Sequence, residues 1–189
     1  MERIAAAEGR VIAHSTNDWR VVAGAGTMTL EILEQQPDLD ALIVAVGGGS
    51  QAVGAMTVAK QLAPRMKVFG VQAAGAPALS DSWHARERRT TDRVDTFADG
   101  VATRTTYDLT FPALLEGLTD FITVTDAETA ESLRTILSIT HNLVEGAGAM
   151  GFAAALKLRD RLAGQRAGIV FCGGNLDSEM LGRILRREV

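Results

Sequence analysis

The sequence contains very little of what several classes of protein require. Among its 189 residues there is one cysteine, Cys172, so the chain can form no internal disulfide and no cysteine-rich zinc site. Its three histidines lack the spacing that is typical of metal ligands. A net charge of −4 provides no broad basic surface for nucleic acid phosphates or anionic lipid. We therefore expect neither nucleic acid nor a membrane as a partner.

Long apolar segments are also missing. The uncharged stretch 41–59 is interrupted by Gly47, Gly48 and Gly49, which lower helix propensity, so it predicts a strand, a turn and a helix rather than a membrane span. The first eight residues carry charges where a signal peptide has its apolar core, and we expect a cytoplasmic protein. Hydrophobic and charged fractions of 47% and 22% are typical of one globular domain.

What the sequence does contain is a repeated alternation of strand and helix patterns. Short apolar runs predict buried strands at 41–46, 67–72, 121–124 and 167–172. Helical patterns follow at 51–62, 126–141, 146–162 and 178–187, and the third strand leads into a capping box, Thr125 with Glu128. Parallel neighbouring strands need crossover helices, so this order predicts a single α/β domain over residues 1–189 with a mainly parallel sheet. The polar segment 81–99 is predicted to be a surface excursion.

The most informative motif is Val46-Gly-Gly-Gly-Ser-Gln51, between a predicted strand and a predicted helix. Glycines permit a tight turn and expose main-chain N–H groups, and the helix adds the positive end of its dipole. Open α/β sheets bind ligands at this end of their strands, so the motif indicates a phosphate-binding loop. The Lys-Ser/Thr ending of a P-loop is absent, which disfavours nucleoside triphosphate hydrolysis. A tight connection that binds no ligand is the alternative.

Three further glycine clusters lie along the chain. Gly24-Ala-Gly-Thr27 predicts the start of a helix over 29–34, with Thr27 as its cap. Glu145-Gly-Ala-Gly-Ala149 opens a helix and allows close approach of a backbone or a flat ligand, although a carboxylate at a helix start is also favourable by itself. Cys172-Gly-Gly-Asn175 lies at the carboxyl end of the last predicted strand. Its thiol either points into the same ligand crevice as the glycine loop or is a small buried hydrophobic group.

Taken in order, these motifs resemble the large domain of the tryptophan synthase β-like (fold type II) pyridoxal phosphate enzymes. Within them the similarity is to the threonine/serine dehydratase and serine racemase group. Six stretches carry the resemblance: 14–27, Val46-Gly-Gly-Gly-Ser50, Ala98-Asp-Gly-Val-Ala102, Val124-Thr-Asp-Ala-Glu128, Glu145-Gly-Ala-Gly-Ala149 and Cys172-Gly-Gly-Asn-Leu-Asp177. The resemblance implies a three-layer α/β fold, incomplete here because the small domain and the N-terminal part are absent.

The resemblance also implies a cofactor and residues that bind it. Pyridoxal 5′-phosphate would be held through its phosphate by the loop residues Gly47, Gly48, Gly49, Ser50 and Gln51. Cys172 stands where the family usually has a serine that faces the pyridine nitrogen, and Glu145 would lie near the ring. A neutral thiol is a weak hydrogen-bond donor, which suits elimination of a β-hydroxyl.

The departures from the family pattern are as informative. Ser50 replaces a fourth glycine, which is tolerable if its φ is not positive. Several members bind a metal through two acidic residues, at positions where this chain has Gln72 and Ala78, so we predict no metal there. The family's Schiff-base lysine lies in a Ser-x-Lys motif that is absent, and none of the three lysines of the chain has that context.

These observations lead to a functional hypothesis. We expect the C-terminal portion of a serine/threonine dehydratase-like lyase, which would convert a small hydroxy amino acid to a 2-oxo acid and ammonia, with no catalytic residue in this chain and no activity of the chain alone. A non-catalytic module that binds a phosphorylated ligand or assembles with a partner is the alternative, and a nucleotide-binding Rossmann-like domain is a weaker one. Surface left uncovered by a missing domain predicts a homo-oligomer or association with a missing N-terminal portion.

Overall fold

A computed structural model describes residues 1–189 and contains one parallel sheet of four strands. The strands are Ala41–Ala45 (β1), Lys67–Ala73 (β2), Asp120–Val124 (β3) and Ala167–Ile169 (β4), in the spatial order β3-β2-β1-β4. All three pairings are parallel, which confirms the predicted α/β architecture. The fourth strand is shorter than predicted, because β4 has β1 as its only neighbour and pairs with it only from Ala167 to Ile169.

Eight α-helices surround this sheet, and one 3₁₀ turn spans Asp99–Val101. They are Glu2–Glu8 (α1), Trp19–Gln35 (α2), Ser50–Leu62 (α3), Ala78–Ala85 (α4), Thr110–Gly117 (α5), Asp126–Thr140 (α6), Gly146–Lys157 (α7) and Ser178–Leu185 (α8). The capping box is confirmed, since Thr125 accepts from the Glu128 N–H and Glu128 accepts from the Thr125 N–H. None of these helices combines the length and the apolar character needed to cross a lipid bilayer.

The helix predicted at 29–34 begins ten residues earlier, at Trp19. Its N-cap is Asp18, whose carboxylate accepts the Arg20 N–H at 2.9 Å, so the prediction that Thr27 caps this helix is wrong. Thr27 lies inside α2, and its hydroxyl donates to the carbonyl oxygen of Gly24 one turn earlier. Gly24 and Gly26, which were predicted to precede the helix, instead lie within it.

The core is divided into two sides by the sheet, which gives three layers. Side chains along β1 alternate, so that Leu42 and Val44 pack on one side and Ala41 and Ile43 on the other. The first side is covered by apolar residues of α2, α3, α4 and α5. The second side is covered by α7, against which α6 and α8 form an outer cluster. Both faces of the central strands β1 and β2 are therefore buried, as their apolar runs predicted, whereas β4 at the edge of the sheet contains no fully buried residue, so the prediction of a buried fourth strand is wrong.

The segment 81–99 is only partly the surface excursion that its polarity predicted. Its first residues belong to α4, where Ser82 is fully buried and its hydroxyl donates to the Ala78 carbonyl. The indole N–H of Trp83 donates to the carbonyl oxygen of Leu114 at 2.9 Å, which joins α4 to α5. Only after Ala85 does the chain become an extended, mostly exposed loop.

Candidate functional site

Residues 46–49 form the connection from β1 to α3, at the carboxyl end of a strand in the middle of the sheet. Gly49 is the N-cap of α3 with a φ of 98°, a left-handed conformation that favours glycine. No side chain caps this helix, so its first-turn N–H groups point toward the space above the loop. Ser50, which replaces the family's fourth glycine, is the first residue of α3 and does not have a positive φ.

Neighbouring segments leave no room for side chains on the first two glycines. A Cβ on Gly47 would lie 2.6 Å from the carbonyl oxygen of Gly100, and a Cβ on Gly48 would lie 2.1 Å from Oγ1 of Thr16. The loop is therefore enclosed between the segment before α2 and the 3₁₀ turn. Close approach of neighbouring atoms therefore requires glycine at positions 47 and 48, whereas backbone conformation favours it at Gly49.

The carbonyl groups of the loop are bonded to threonine side chains. The Thr103 hydroxyl donates to the Gly47 oxygen at 3.2 Å, and the Thr110 hydroxyl donates to the Gly48 oxygen at 2.6 Å. The N–H groups of Gly47, Gly48 and Gly49, in contrast, donate to no protein atom. Because the carbonyls are held and the N–H groups are free, the loop presents donors and is suited to an anion.

Glu145, the N-cap of α7, organises a second group of site residues, next to a cavity that is lined by neither the glycine loop nor Cys172. Its N–H donates to the Gly173 oxygen at 3.1 Å, and its carboxylate accepts the Asn175 N–H at 3.0 Å. Gly173 has a φ of 99°, and a Cβ there would lie 2.9 Å from the Glu145 carboxyl carbon. Glu145 thus fixes the turn that follows the last strand.

The glycine loop and this second group meet at Gly100. Its carbonyl oxygen faces Gly47, whereas a Cβ on Gly100 would lie 3.1 Å from Cβ of Ala147 and 3.2 Å from Oε1 of Glu145. A cavity of about 500 Å³ adjoins this junction, and its walls include residues of the 3₁₀ turn, the start of α7 and the 175–180 segment. The structure therefore brings the glycine loop and Glu145 to opposite sides of one short segment.

Cys172 lies half-buried in the segment between β4 and the Glu145 turn. Burial, and then the nearby Glu145 carboxylate, raise the pKa of its thiol above the usual range. The thiol is therefore protonated at neutral pH, and a protonated thiol is a weak donor rather than a nucleophile.

None of the three lysines of the chain lies beside the glycine loop, as their sequence context predicted. Lys67 is the exposed first residue of β2, and Lys60 lies near the end of α3, in a surface groove with Pro64. Both lie toward the amino ends of the strands, away from the glycine loop at the carboxyl end of β1. Lys157 is engaged by the Glu128 carboxylate at 2.9 Å and by the Thr123 carbonyl at 3.0 Å. None is an unpaired amine beside the loop.

Three threonines of the site were missed by sequence reasoning. Thr16, Thr103 and Thr110 come from three separate segments and contact the glycine loop only in the folded chain. No motif marks Thr103 or Thr110, since a single threonine in a loop has no pattern, and Thr16 lay within the 14–27 stretch that supported the resemblance without any role being assigned to it. Gly100 lay within a motif that supported the family resemblance, but that motif indicated no role for it.

Comparison with known proteins agrees with this architecture. Residues 1–173 match the family described as pyridoxal-phosphate dependent enzyme. The chain belongs to this family. An L-threonine ammonia-lyase from Thermotoga maritima is 36% identical over 185 residues, which are 98% of this chain and 46% of that protein. An L-threo-3-hydroxyaspartate ammonia-lyase from a Pseudomonas species is 34% identical over 183 residues, which are 97% of this chain and 57% of that protein.

A solved structure shows the same fold. Maize serine racemase superposes with a TM-score of 0.89 and 30% sequence identity, and the match covers 99% of this chain and 58% of that one. The predicted tryptophan synthase β-like fold and the predicted cofactor, pyridoxal phosphate, are thereby confirmed for the family to which the chain belongs. The chain spans about half the length of the curated relatives that it matches.

Proposed function

We propose that this chain holds pyridoxal 5′-phosphate through its phosphate group, with Gly47, Gly48, Gly49, Ser50 and Gln51 as the binding loop. The observation that carries the proposal is the set of unbonded loop N–H groups at the uncapped N-terminus of α3. The Gln51 side chain turns away toward Met28, with 3.1 Å between Nε2 and Sδ, which leaves the main chain of Gln51 to face the ligand. Neighbouring atoms leave no room for a side chain at Gly47 or Gly48, which is consistent with a loop that binds its ligand through main-chain N–H groups.

Glu145 and Cys172 are proposed to contact the ring end of the cofactor. The neutral Cys172 thiol would donate weakly to the pyridine nitrogen, and Glu145 would orient the turn at residues 173–175 that directly follows Cys172. When bound, the cofactor supplies an electron sink for elimination of a β-hydroxyl group. The contribution of these residues is to orient the ring and to leave its nitrogen largely unprotonated.

For the whole protein we propose a serine/threonine dehydratase-like lyase that converts a small hydroxy amino acid to a 2-oxo acid and ammonia. Relatives that carry such names support the proposal. Residues 1–189 would form its single cofactor-binding domain, and the lysine that joins the cofactor would lie outside this chain.

A non-catalytic phosphate-ligand-binding or assembly module is the second candidate, favoured by an intact loop without an unpaired lysine beside it. A cytoplasmic location, self-association and the absence of a metal stay predictions.

Ligand titrations test the cofactor proposal on the chain as it exists. Calorimetry should show that pyridoxal 5′-phosphate binds at least tenfold more tightly than pyridoxal, and that inorganic phosphate competes with it. Gly49→Ala should abolish this preference because a Cβ there is strained and would lie 2.9 Å from Leu114 Cδ1. Gly24→Ala, at a helical glycine with open space around it, is the matched control. Equal affinity for the two ligands would contradict the proposal.

Two further measurements separate the candidate functions. Borohydride treatment with pyridoxal 5′-phosphate, followed by peptide mapping, should place no cofactor specifically on Lys60, Lys67 or Lys157. The chain alone should form no 2-oxobutyrate from threonine. Activity that appears when an N-terminal portion carrying a Ser-x-Lys motif is supplied would support the lyase, and persistent inactivity with phosphate-dependent binding would support the binding module.

A further inference from the structure

Gln72 is a fully buried polar residue near the end of β2 that no part of the proposed cofactor site uses. Its side chain is shielded from water, so an amide there that lacked hydrogen bonds would be strongly destabilising. Both ends of the amide are bonded. Oε1 accepts the Ser80 N–H at 2.9 Å, and Nε2 donates to Oγ1 of Thr103 at 3.3 Å.

The direction of every bond in this network is fixed. A main-chain N–H can only donate, so Oε1 of Gln72 must face Ser80 and Nε2 must face Thr103. The Thr103 hydroxyl has one proton, and a main-chain carbonyl can only accept it, so Thr103 donates to the Gly47 oxygen at 3.2 Å. The chain of bonds therefore runs from Ser80 in α4 through Gln72 and Thr103 to the first glycine of the loop.

We propose that Gln72 is a positioning residue that sets the direction of the Thr103 hydroxyl and thereby orients the Gly47 peptide for phosphate binding. The proposal rests on the proposed function of the glycine loop. An ordinary core glutamine would need only to have its own polar atoms satisfied. Here the Gln72 amide also donates to the partly exposed hydroxyl of Thr103, which in turn donates to the glycine loop. Because the amide is a donor, the hydroxyl proton stays available to Gly47.

Glutamate is the discriminating replacement because it keeps the shape of glutamine and removes the donor. In the ionised form of Gln72→Glu a carboxylate would face Thr103, and the hydroxyl proton would turn toward that carboxylate and away from Gly47. Because burial favours the protonated acid, which keeps a donor, the loss of phosphate affinity in this variant should grow as the pH rises. Thr103→Val removes the same bond from the other side, whereas Thr103→Ser keeps the hydroxyl. Gln61→Glu makes the identical chemical change at an exposed position of α3 and serves as the control.

The experiment measures inorganic phosphate, pyridoxal 5′-phosphate and pyridoxal binding to the chain by calorimetry. Gln72→Glu and Thr103→Val should each weaken the two phosphate ligands by roughly three- to tenfold, the value of about one hydrogen bond, with pyridoxal unaffected. Thr103→Ser and Gln61→Glu should bind within about twofold of the parent. Gln72→Glu and Thr103→Val act through the same hydrogen bond, so the variant that combines them should bind no more weakly than Thr103→Val alone. If the two substitutions instead caused a general loss of packing, their effects would add.

Other results overturn the inference. Unchanged phosphate affinity in Thr103→Val, additive losses in the double variant, or equal losses for pyridoxal would each show that Gln72 does not act through Gly47. If the parent chain binds no phosphate ligand, the proposed cofactor loop fails, and hydrogen exchange then decides the positioning role. The Val46 and Val53 N–H groups, which donate on either side of the loop, should exchange faster in Thr103→Val and not in Thr103→Ser, whereas equal exchange rules the role out.

Discussion

Gly54 of α3 lies directly against Gly26 of α2: a Cβ on Gly54 would be 2.6 Å from the Gly26 nitrogen and 2.8 Å from the Val22 oxygen. Two helix backbones therefore touch without intervening side chains. This contact holds α2 against the helix whose N-terminus forms the candidate phosphate site. It also explains why glycines lie inside helices, where they lower helix propensity.

Gly54→Ala should destabilise the protein by about 2 kcal/mol, because the added methyl group overpacks a contact made by main-chain atoms that cannot move separately. Urea unfolding measures the change in the free energy of unfolding. Gly24→Ala, in α2 with no atom near its would-be Cβ, should stabilise by about 0.5–1 kcal/mol. Similar effects of the two substitutions would mean that the helices do not approach as closely as the structure shows.

Thr125→Ala should remove the N-cap of α6 and lower the free energy of unfolding by about 1 kcal/mol. The hydroxyl accepts the Glu128 N–H at 3.2 Å, and alanine has no acceptor to replace it. Thr135→Ala, at a half-buried position inside the same helix, should be neutral or slightly stabilising because alanine has the higher helix propensity. Thermal unfolding of the three proteins provides the test, and equal loss in both variants would contradict the capping role.

The Glu128 carboxylate should make stability depend on pH. Partial burial alone would raise the pKa of Glu128, but hydrogen bonds from the Thr125 N–H and from Lys157 outweigh burial and hold this pKa below its usual range. A carboxyl with a lower pKa in the folded chain stabilises the fold above its unfolded pKa, and that stabilisation is lost as the pH falls through the folded pKa.

We therefore expect the stability difference between the parent and Glu128→Gln to be constant near neutral pH and to shrink below about pH 5. Urea unfolding at a series of pH values measures it. Lys157→Met, which removes one of the partners, should show a weaker dependence than the parent over the same interval. A difference that stays constant down to about pH 3 would show that Glu128 is not held in its charged form by these partners.

The parts of this structure that were predictable from sequence are those encoded by neighbouring residues. Apolar runs located all four strands, and Thr125 with Glu128 located the start of α6. Strand ends and distant contacts were not predictable. β4 ends at Ile169 because its only neighbouring strand, β1, pairs with it no further, and the Thr103 and Thr110 hydroxyls reach the loop from 56 and 62 residues away. Such relationships depend on the fold and leave no local pattern.

Cys172 should react slowly with iodoacetamide at neutral pH, because alkylation requires the thiolate, and burial followed by the Glu145 carboxylate raise the pKa of the thiol. It is the only cysteine, so alkylation of the chain reports on this site alone. Glu145→Gln removes the negative charge and keeps an oxygen that can accept the Asn175 N–H.

The pKa of Cys172 should therefore fall in this variant, and the alkylation rate at about pH 8 should rise severalfold, without reaching that of a free thiol because burial remains. Glu179→Gln, an exposed substitution in α8, provides the charge-matched control and should leave the rate unchanged. A rate that is unchanged or lower in Glu145→Gln would mean that the carboxylate does not act on the thiol. The proposed pairing of these two residues at the ring end of the cofactor would then lose its electrostatic basis.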